Sequence, residues 1–469
     1  MNIGVKLDKD DFSYDVHSLV KAFYPDDTVQ VFAASDEIKS AVPRDLVMSV
    51  HIPEYTDRKA AKDTLKRELY HRLSAETGRT LPWGTLSGIR PTKIPTKLFS
   101  EGKTAEEIAS YMKENYLTSD AKISLAIRVA ENETKVLSGI DGWSEDPFCL
   151  YLHVPFCPSI CLYCTFSASP IDLWKDKADL YIDAMLSEME RETVLRDGKR
   201  PVPVSFYIGG GTPTSLTADQ LDYLLTRVRD YYDIDASLER TVEAGRPDSI
   251  TREKLRVLKK HGIDRISVNP QTMNDKTLAL IGRKHTAEDT VRAFALAREE
   301  GFTNINMDII LGLPGEDIPE VMHTLREIEK MRPDSLTVHS LAVKRASRLN
   351  ASLREEQEAG RAFDYSKYAG LSFSNSEEII EMAYDTAAGL HMEPYYLYRQ
   401  KNMKGGLENT GFAVRGRECL YNILIMEEIA EIRAFGAAAS KKKILPGKKP
   451  ERVINPKDVR TYLERQTCI

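Results

Sequence analysis

The stretch "HVPFCPSICLYCTF" at residues 153–166 places three cysteines, Cys157, Cys161 and Cys164, within eight residues. A closed tetrahedral zinc site takes four ligands, and a disulfide takes two. Three thiolates in one tight loop can each bind an iron of a cubane cluster and leave the fourth iron open, so we favour an iron–sulfur cluster. A zinc site completed by His153 or a distant residue, and a chance grouping of cysteines, are the alternatives.

The overall composition excludes several classes of protein. The chain has 469 residues, of which 42% are hydrophobic and 29% charged, with a net charge of −6. Lys and Arg do not form one long block, so charge gives no case for nucleic-acid binding. No apolar run approaches the roughly 20 residues that cross a bilayer, and "MNIGVKLDKDDF" has no signal-peptide core. We therefore expect a cytoplasmic protein, a monomer, with no membrane span.

The remaining cysteines are scattered along the chain. The chain has six cysteines and no apparent secretory signal, which indicates a reducing compartment where disulfides are rare. Cys149, Cys419 and Cys468 are therefore interpreted as structural or incidental, since free cysteine often behaves as a small buried hydrophobe.

A regular alternation of strands and helices surrounds the cysteines. Alternating βα units predict parallel strands with right-handed crossovers, in a partial barrel or a doubly wound sheet, and the pattern does not choose between the two. Both place ligands at the carboxyl ends of the strands, where the cysteines and "GGGTPT" (209–214) fall. Strands are predicted at 148–154, 204–210, 240–245, 264–269, 304–312 and 335–343, and helices at 176–196, 217–232, 251–261, 274–281, 286–301 and 316–331.

The alternation is flanked by two further regions. Residues 1–140 are predicted to form an α/β domain of unknown role, with strands in "TVQVFAA" and "DLVMSVHI" and a helix that ends at Gly78. Residues 141–345 form the core, and residues 346–469 a mostly helical region on the substrate side.

The segment "YLHVPFCPSICLYC" resembles the signature of the radical S-adenosylmethionine (SAM) superfamily. The resemblance implies a [4Fe-4S] cluster whose open iron binds SAM. It also implies cleavage of SAM by one electron to methionine and a 5′-deoxyadenosyl radical. The implied fold is an α/β fold, a partial (β/α)6 barrel, in agreement with the six βα units.

Further residues narrow the resemblance. An aromatic-x-His-x-Pro-Phe-Cys segment together with "GGGTPT" resembles the oxygen-independent coproporphyrinogen III oxidase (HemN-like) group, and "TVEAGRPDSI" and "LYRQKNMKGGLENTG" resemble its HemZ branch. The resemblance implies two SAM molecules, and it assigns no catalytic residue. The implied contacts are Tyr151, Gly210 and Glu243 for the first SAM, Tyr163, Gly211 and Thr212 for the second, then Gln271, Arg283, Asp308 and Ala342, and Ala439 beside an adenosine.

The sequence also departs from the group. The usual acidic residue followed by Pro after the third strand is replaced by "EAGRPD", so the contacts there are open. "AFGAAAS" is only loosely similar to the group's Gly/Ala-rich segment, and nothing in residues 1–140 matches the group's substrate-handling segment.

The resemblance implies oxidative decarboxylation of two propionates of coproporphyrinogen III, giving the vinyl groups of protoporphyrinogen IX. A flavodoxin or ferredoxin would donate electrons. Arg283, Arg345 and Arg399 are candidates to face carboxylates, with a surface salt bridge as the alternative for the last two. A related haem-binding chaperone, a radical enzyme with another substrate and a structural zinc protein are the alternative functions. The chain lacks the His-Asn-x-x-Tyr-Trp segment associated with such chaperones.

Overall fold

A computed structural model describes residues 1–25, 27–32, 45–140, 143, 147–193, 198–341, 375–400, 406–445 and 448–467. Ala342, Arg345 and Cys468 lie outside the described residues. The chain divides into two compact units. The N-terminal unit comprises 1–134, 375–377 and 397–409, and the barrel unit comprises the remainder. The three-domain division expected from the sequence stays a prediction.

The N-terminal unit is built on a small parallel sheet in the order β2–β1–β3. The central strand was not predicted from the sequence, because charged residues follow it closely. Its buried Ile3, Val5 and Leu7 alternate as a strand requires. The elements are β1 (Asn2–Leu7), α1 (Ser13–Phe23), β2 (Thr28–Phe32), β3 (Leu46–Val50), α2 (Arg58–Thr77), α3 (Lys93–Ser100), α4 (Ala105–Tyr116) and α5 (Asp120–Ser138), which runs into the barrel unit.

The barrel unit contains the six predicted parallel strands, each within a few residues of its predicted bounds. These six strands lie side by side in chain order, so their winding never reverses as it does in a doubly wound sheet. The predicted partial-barrel fold is thus confirmed. The elements are β4 (Phe148–Val154), β5 (Phe156–Cys157), β6 (Ser169–Pro170), α6 (Ala178–Glu192), β7 (Ser205–Gly210), α7 (Ala218–Val228), β8 (Glu239–Val242), α8 (Arg252–Lys260), β9 (Arg265–Ser267), α9 (Asp275–Leu280), α10 (Ala287–Glu299), β10 (Ile305–Leu311), α11 (Ile318–Met331) and β11 (Ser335–Ser340).

Local sequence signals set the starts of the crossover helices. Thr217 before α7, Thr286 before α10 and Asp317 before α11 each accept a backbone N–H of the first turn, and the residue three positions on closes a capping box. These boxes fix where each crossover helix begins after its strand.

The C-terminal region was expected to be mostly helical, and its described residues are mixed. The sheet gains β13 antiparallel to β11 at one end and β14 parallel to β4 at the other. Because β14 runs parallel to β4, the turn after it lies at the edge where β4 ends. The elements are α12 (Glu377–Gly389), β12 (Glu393–Tyr398), β13 (Asn409–Ala413), α13 (Leu420–Glu427), β14 (Glu431–Phe435), β15 (Ser440–Lys443), β16 (Glu451–Ile454) and α14 (Val459–Thr467).

Among the helices of the described ranges, none combines the length and apolar character that a membrane span requires.

Candidate cofactor site

The cysteine loop (residues 157–164) begins at the end of β5. The Ser159 hydroxyl donates to the Gly282 carbonyl at 2.8 Å, and the Leu162 N–H donates to the Ile281 carbonyl at 2.9 Å. The loop is therefore fixed to the turn after α9. None of its three cysteines forms a disulfide, and Cys161 is buried while the other two are partly buried.

Donors and cations surround the loop's sulfur atoms. The Nη1 atoms of Arg246 and Arg283 lie 3.7 and 3.9 Å from the Cys161 Sγ. The Thr212 hydroxyl lies 3.6 Å from the Cys157 Sγ. Burial raises the pKa of Cys157 to about 11, while the Thr212 hydrogen bond and the Arg246 charge oppose the shift. Metal-bound sulfur is thiolate, which these donors stabilise. The loop thus fits a thiolate-bound group.

The three cysteines are compatible with a cluster, in which the ligands bind different metal atoms. Within the described residues, no three His, Cys, Asp or Glu side chains are arranged to hold one metal ion. In a cubane, each thiolate binds a different iron, so the sulfurs need not converge on one point. His153 packs instead against the glycine-rich turn after β7: its ring atoms lie 2.8 Å from where a Cβ on Gly210 would stand.

The three glycines of "GGGTPT" are closely packed, and the constraint is strongest at Gly210 and Gly211. Gly210 has φ +107°, which side chains rarely adopt. A Cβ on Gly211 would lie 2.6 Å from the Phe156 carbonyl oxygen, and one on Gly209 would lie 2.9 Å from Glu243 Oε2. The Thr212 N–H donates to the Phe156 carbonyl at 2.7 Å. This turn is therefore attached to the segment that starts the cysteine loop.

Two carboxylates at the same edge have opposite pKa shifts. Burial raises the pKa of Glu243 to about 7, with the Asp308 charge adding to the shift, although the Tyr207 hydroxyl donates to Glu243 at 2.7 Å. Burial also disfavours the ionised form of Asp308. The hydrogen bond with His339 and the charge of His339 are the largest opposing effects, and the opposing effects together lower the pKa of Asp308. Asp308 stays ionised at neutral pH, whereas Glu243 titrates there.

Gln271 has a strained backbone beside Asp308. Its φ is +66°, a left-handed value rare outside glycine. The Gln271 N–H donates to the Asp308 carbonyl, and the Ile310 N–H donates to the Gln271 carbonyl, both at 2.9 Å. Its side-chain oxygen is buried without a hydrogen-bond partner in the structure. Strain and an orphaned acceptor together are typical of a ligand-facing residue.

The aromatic candidates lie in different surroundings. Tyr151 stacks on Tyr207 and on Tyr421, with ring centroids 6.0 and 5.8 Å away. Tyr163 packs against an apolar cluster that includes Leu278. Burial raises the pKa of both Tyr151 and Tyr163 well above the usual value, so each hydroxyl stays protonated.

Ala439 lies in the turn after β14, at the edge where β4 ends. It is fully buried, and its N–H donates to the Gly436 carbonyl at 3.2 Å. Gly436 has φ +104°, and a Cβ there would lie 2.5 Å from the His153 carbonyl oxygen. The turn after β14 thus packs directly on the end of β4, next to the predicted site.

Arg399 was the remaining candidate to face a carboxylate. It belongs to the N-terminal unit, where its guanidinium lies 5.7 Å from the Trp83 ring and donates to the Gly406 carbonyl at 2.7 Å. Both the carboxylate-facing role and the alternative salt bridge of Arg399 stay predictions.

Comparison with known proteins places this geometry in a family. Residues 151–328 match the model of the "Radical SAM superfamily". The chain is 39% identical over 439 residues to the "Oxygen-independent coproporphyrinogen-III oxidase-like protein HemZ" of Bacillus subtilis, an alignment that covers 92% of this chain and 84% of the relative. The chain belongs to the HemZ branch of the HemN-like radical SAM proteins.

Other relatives of this HemZ-like chain match over about half their length. "Heme chaperone HemW" of Bacillus subtilis is 36% identical, covering 41% of this chain and 50% of the relative. "Oxygen-independent coproporphyrinogen III oxidase" of Escherichia coli is 31% identical, covering 45% of each. The solved structure of HemN from Escherichia coli superposes with a TM-score of 0.53 at 22% identity, covering 71% of this chain and 72% of that one, which shows a shared fold.

Membership of the radical SAM superfamily implies a [4Fe-4S] cluster and SAM. In this HemZ-like chain the carboxyl edge of the sheet (the edge where the parallel strands end) brings the three cysteines, Gly210 and Glu243 to one region. Sequence reasoning missed Arg246 beside Cys161. The signal was present, since Arg246 is the unexpected residue of "EAGRPD".

Proposed function

We propose that this protein catalyses oxygen-independent oxidative decarboxylation of coproporphyrinogen III to protoporphyrinogen IX. The observation that carries the proposal is the convergence of the cysteine loop, the glycine-rich turn and two carboxylates of opposite pKa shift on one edge of the sheet. The choice of substrate rests on the names of the relatives. When bound, the cluster and SAM supply a 5′-deoxyadenosyl radical that abstracts hydrogen.

In this proposal Cys157, Cys161 and Cys164 hold the cluster, and the carboxyl edge holds two SAM molecules. Glu243 accepts from ribose hydroxyls, and the backbone of Gly210 admits the methionine end because no side chain stands there. The second SAM lies toward Gln271, whose orphaned side-chain oxygen needs a donor. The full proposed set is Tyr151, Gly210 and Glu243 for the first SAM, Tyr163, Gly211, Thr212, Gln271, Arg283, Asp308 and Ala342 for the second, and Ala439 beside an adenosine.

The structure adds a constraint on Arg283. Its Nη2 already donates to the Asn269 carbonyl at 2.6 Å and to the Gly245 carbonyl at 3.2 Å. Its Nη1 lies 3.9 Å from the Cys161 Sγ, and its Nε is buried without a hydrogen-bond partner in the structure. We therefore assign Arg283 a single contact through Nε rather than a bidentate grip.

The proposed reaction balances for each propionate. One hydrogen atom leaves the side chain to the radical, CO2 departs, and one electron passes to an acceptor, which leaves a vinyl group. Two propionates therefore consume two SAM molecules. A flavodoxin-type or ferredoxin-type donor would supply the electrons that start each cycle, and we expect a cytoplasmic monomer.

The test is an anaerobic assay of the reconstituted protein with dithionite, SAM and coproporphyrinogen III, with porphyrins resolved after oxidation. The proposal predicts divinyl product and two 5′-deoxyadenosines for each protoporphyrinogen formed. SAM cleavage without any vinyl product would overturn the choice of substrate. A Cys161→Ala variant prepared in parallel is the control for chemistry by the reagents alone.

A haem chaperone is the second candidate, because the chain is 36% identical to HemW over 193 residues. This alternative predicts stoichiometric haem binding, seen as a Soret band, with no porphyrinogen turnover. The same preparations separate the two functions, since turnover and haem binding are measured on one batch of protein.

A further inference from the structure

Arg246 is a buried guanidinium beside the cysteine loop that the proposed reaction leaves without a role. Its Nη1 lies 3.7 Å from the Cys161 Sγ and donates to the Ser159 carbonyl at 3.1 Å. Its Nη2 donates to the Ser159 hydroxyl at 3.0 Å. One side chain therefore contacts two members of the loop, and its exposed fraction is only 3%.

The orientation of Arg246 is fixed from its other side. Asp248 accepts from Nε at 2.9 Å and from Nη2 at 2.8 Å, a bidentate pair that sets the plane of the guanidinium. Ser249 donates its hydroxyl to the Arg246 carbonyl at 2.7 Å. The loop after β8 thus presents a fixed positive charge to Cys161, and Asp248 partly compensates that charge.

We propose that Arg246 is a positioning residue that holds the cysteine loop and favours the reduced state of the cluster. Three thiolates give the site a net negative charge, and reduction adds one electron without a proton. A nearby cation stabilises the more negative state, and hydrogen bonds to the sulfurs act in the same direction. Burial strengthens the effect, because the effective dielectric is lower than in water.

This proposal depends on the [4Fe-4S] cluster of the superfamily and not on coproporphyrinogen. Its measurements contain no porphyrin, so its failure and the failure of the proposed function are distinguishable.

The test is a redox titration with dithionite of anaerobically reconstituted protein, followed by electron paramagnetic resonance. Arg246→Gln removes the charge, and we expect the ratio of reduced to oxidised cluster at a fixed potential to fall roughly tenfold, a shift of about 59 mV. Arg246→Lys keeps the charge but cannot make the bidentate pair. Its potential should stay near the wild-type value, while a chelator should strip its iron faster.

Arg298 supplies a matched control. It is also an arginine that pairs with an aspartate, its Nη1 lying 2.6 Å from Asp334 Oδ2, but Asp334 stands before β11 at the opposite edge of the sheet. Arg298→Gln should leave the potential unchanged. A wild-type potential in Arg246→Gln, or an equal shift in Arg298→Gln, would overturn the proposal.

A second variant keeps the proposal testable if Arg246→Gln takes up no cluster. Asp248→Asn removes the compensating negative charge, so the same account predicts a shift of the opposite sign, toward easier reduction. An unchanged or lower potential in Asp248→Asn would contradict the assigned role.

Discussion

Glu239 and Glu243 stand at the two ends of one short strand, β8, and their surroundings differ. Glu239 accepts from the N–H groups of Leu420 and Tyr421 at 2.7 and 3.2 Å and from the Ser205 hydroxyl at 3.0 Å. It therefore caps the first turn of α13 and is buried with several donors. This is the hydrogen-bonding of a structural carboxylate.

Glu243 has fewer fixed partners at the carboxyl edge. The Tyr207 hydroxyl donates to its Oε1 at 2.7 Å, and the other oxygen faces Gly209, where a Cβ would lie only 2.9 Å away. Near it, Gln271 keeps a buried oxygen without a partner in the structure. The same residue type thus has three hydrogen-bond donors at the amino edge, and at the carboxyl edge it has the Tyr207 hydroxyl and the Gly210 backbone, where we propose that ribose hydroxyls bind.

The largest expected effect comes from the cysteines. Cys161→Ala should abolish both cluster uptake and SAM cleavage, because only two thiolates remain to hold the cluster. Cys149 is also buried, but it lies near the start of β4, opposite Ser205 at the start of β7 in the strand register. This is the end of the sheet away from the site. Cys149→Ala should keep four irons per chain and wild-type cleavage. Iron content measures cluster uptake, and release of 5′-deoxyadenosine measures SAM cleavage. A Cys161→Ala protein that still cleaves SAM would contradict the assignment of Cys161 to the cluster.

A pair of glutamine variants sharpens the comparison directly. Glu239→Gln should lower the free energy of unfolding by about 1–3 kcal/mol, because an amide cannot accept from every donor and the buried Arg265 loses a counter-charge. Glu243→Gln should leave stability unchanged or higher at pH 8 and weaken SAM binding at least tenfold. Urea unfolding and equilibrium binding of SAM to the reconstituted proteins measure the two effects. A loss of SAM binding in Glu239→Gln, with a loss of stability in Glu243→Gln, would contradict a structural role for Glu239 and a binding role for Glu243.

A smaller effect is expected in the pH dependence of stability. Burial raises the pKa of Glu243 from 4.5 to about 7, so the native state retains a proton that the unfolded state loses. Its stabilising contribution is fully present below pH 4.5 and is lost as pH rises to about 7, by at most roughly 3 kcal/mol. The apoprotein should therefore lose more stability over this window than Glu243→Gln does. If the free energy of unfolding changed with pH in the same way in both proteins, the pKa of Glu243 would not be raised in the native state.

The raised pKa of Glu243 also predicts a pH dependence of SAM binding. Rising pH lowers the stability of the apoprotein but should strengthen SAM binding. If ribose hydroxyls donate to the ionised Glu243, SAM affinity should rise with pH through about 7, and Glu243→Gln should abolish that dependence. Binding curves from pH 6 to pH 8 test this.

The six strands of the barrel were predictable because short strand-like segments alternate with longer helical stretches along the chain. The cysteine spacing and the glycine triplet were equally visible, since both are local. β1 was missed because charged residues follow Leu7 closely, and β15 because "SKKK" has the composition of a solvated surface. Periodicity also could not give the order of the strands, which depends on long-range pairing.

The electrostatics of the site could not be predicted from the sequence. The identity of Glu243 was evident, but its raised pKa depends on burial and on the nearby charge of Asp308. Arg246 was visible only as a departure from the expected pattern, and its contact with Cys161 required the fold.

The most direct test of the account is electron paramagnetic resonance of the reduced, reconstituted protein before and after SAM is added. If three cysteines leave one iron open at the carboxyl edge, a protein with four irons per chain should change its signal on addition of SAM. An unchanged signal from a fully loaded cluster would contradict the account.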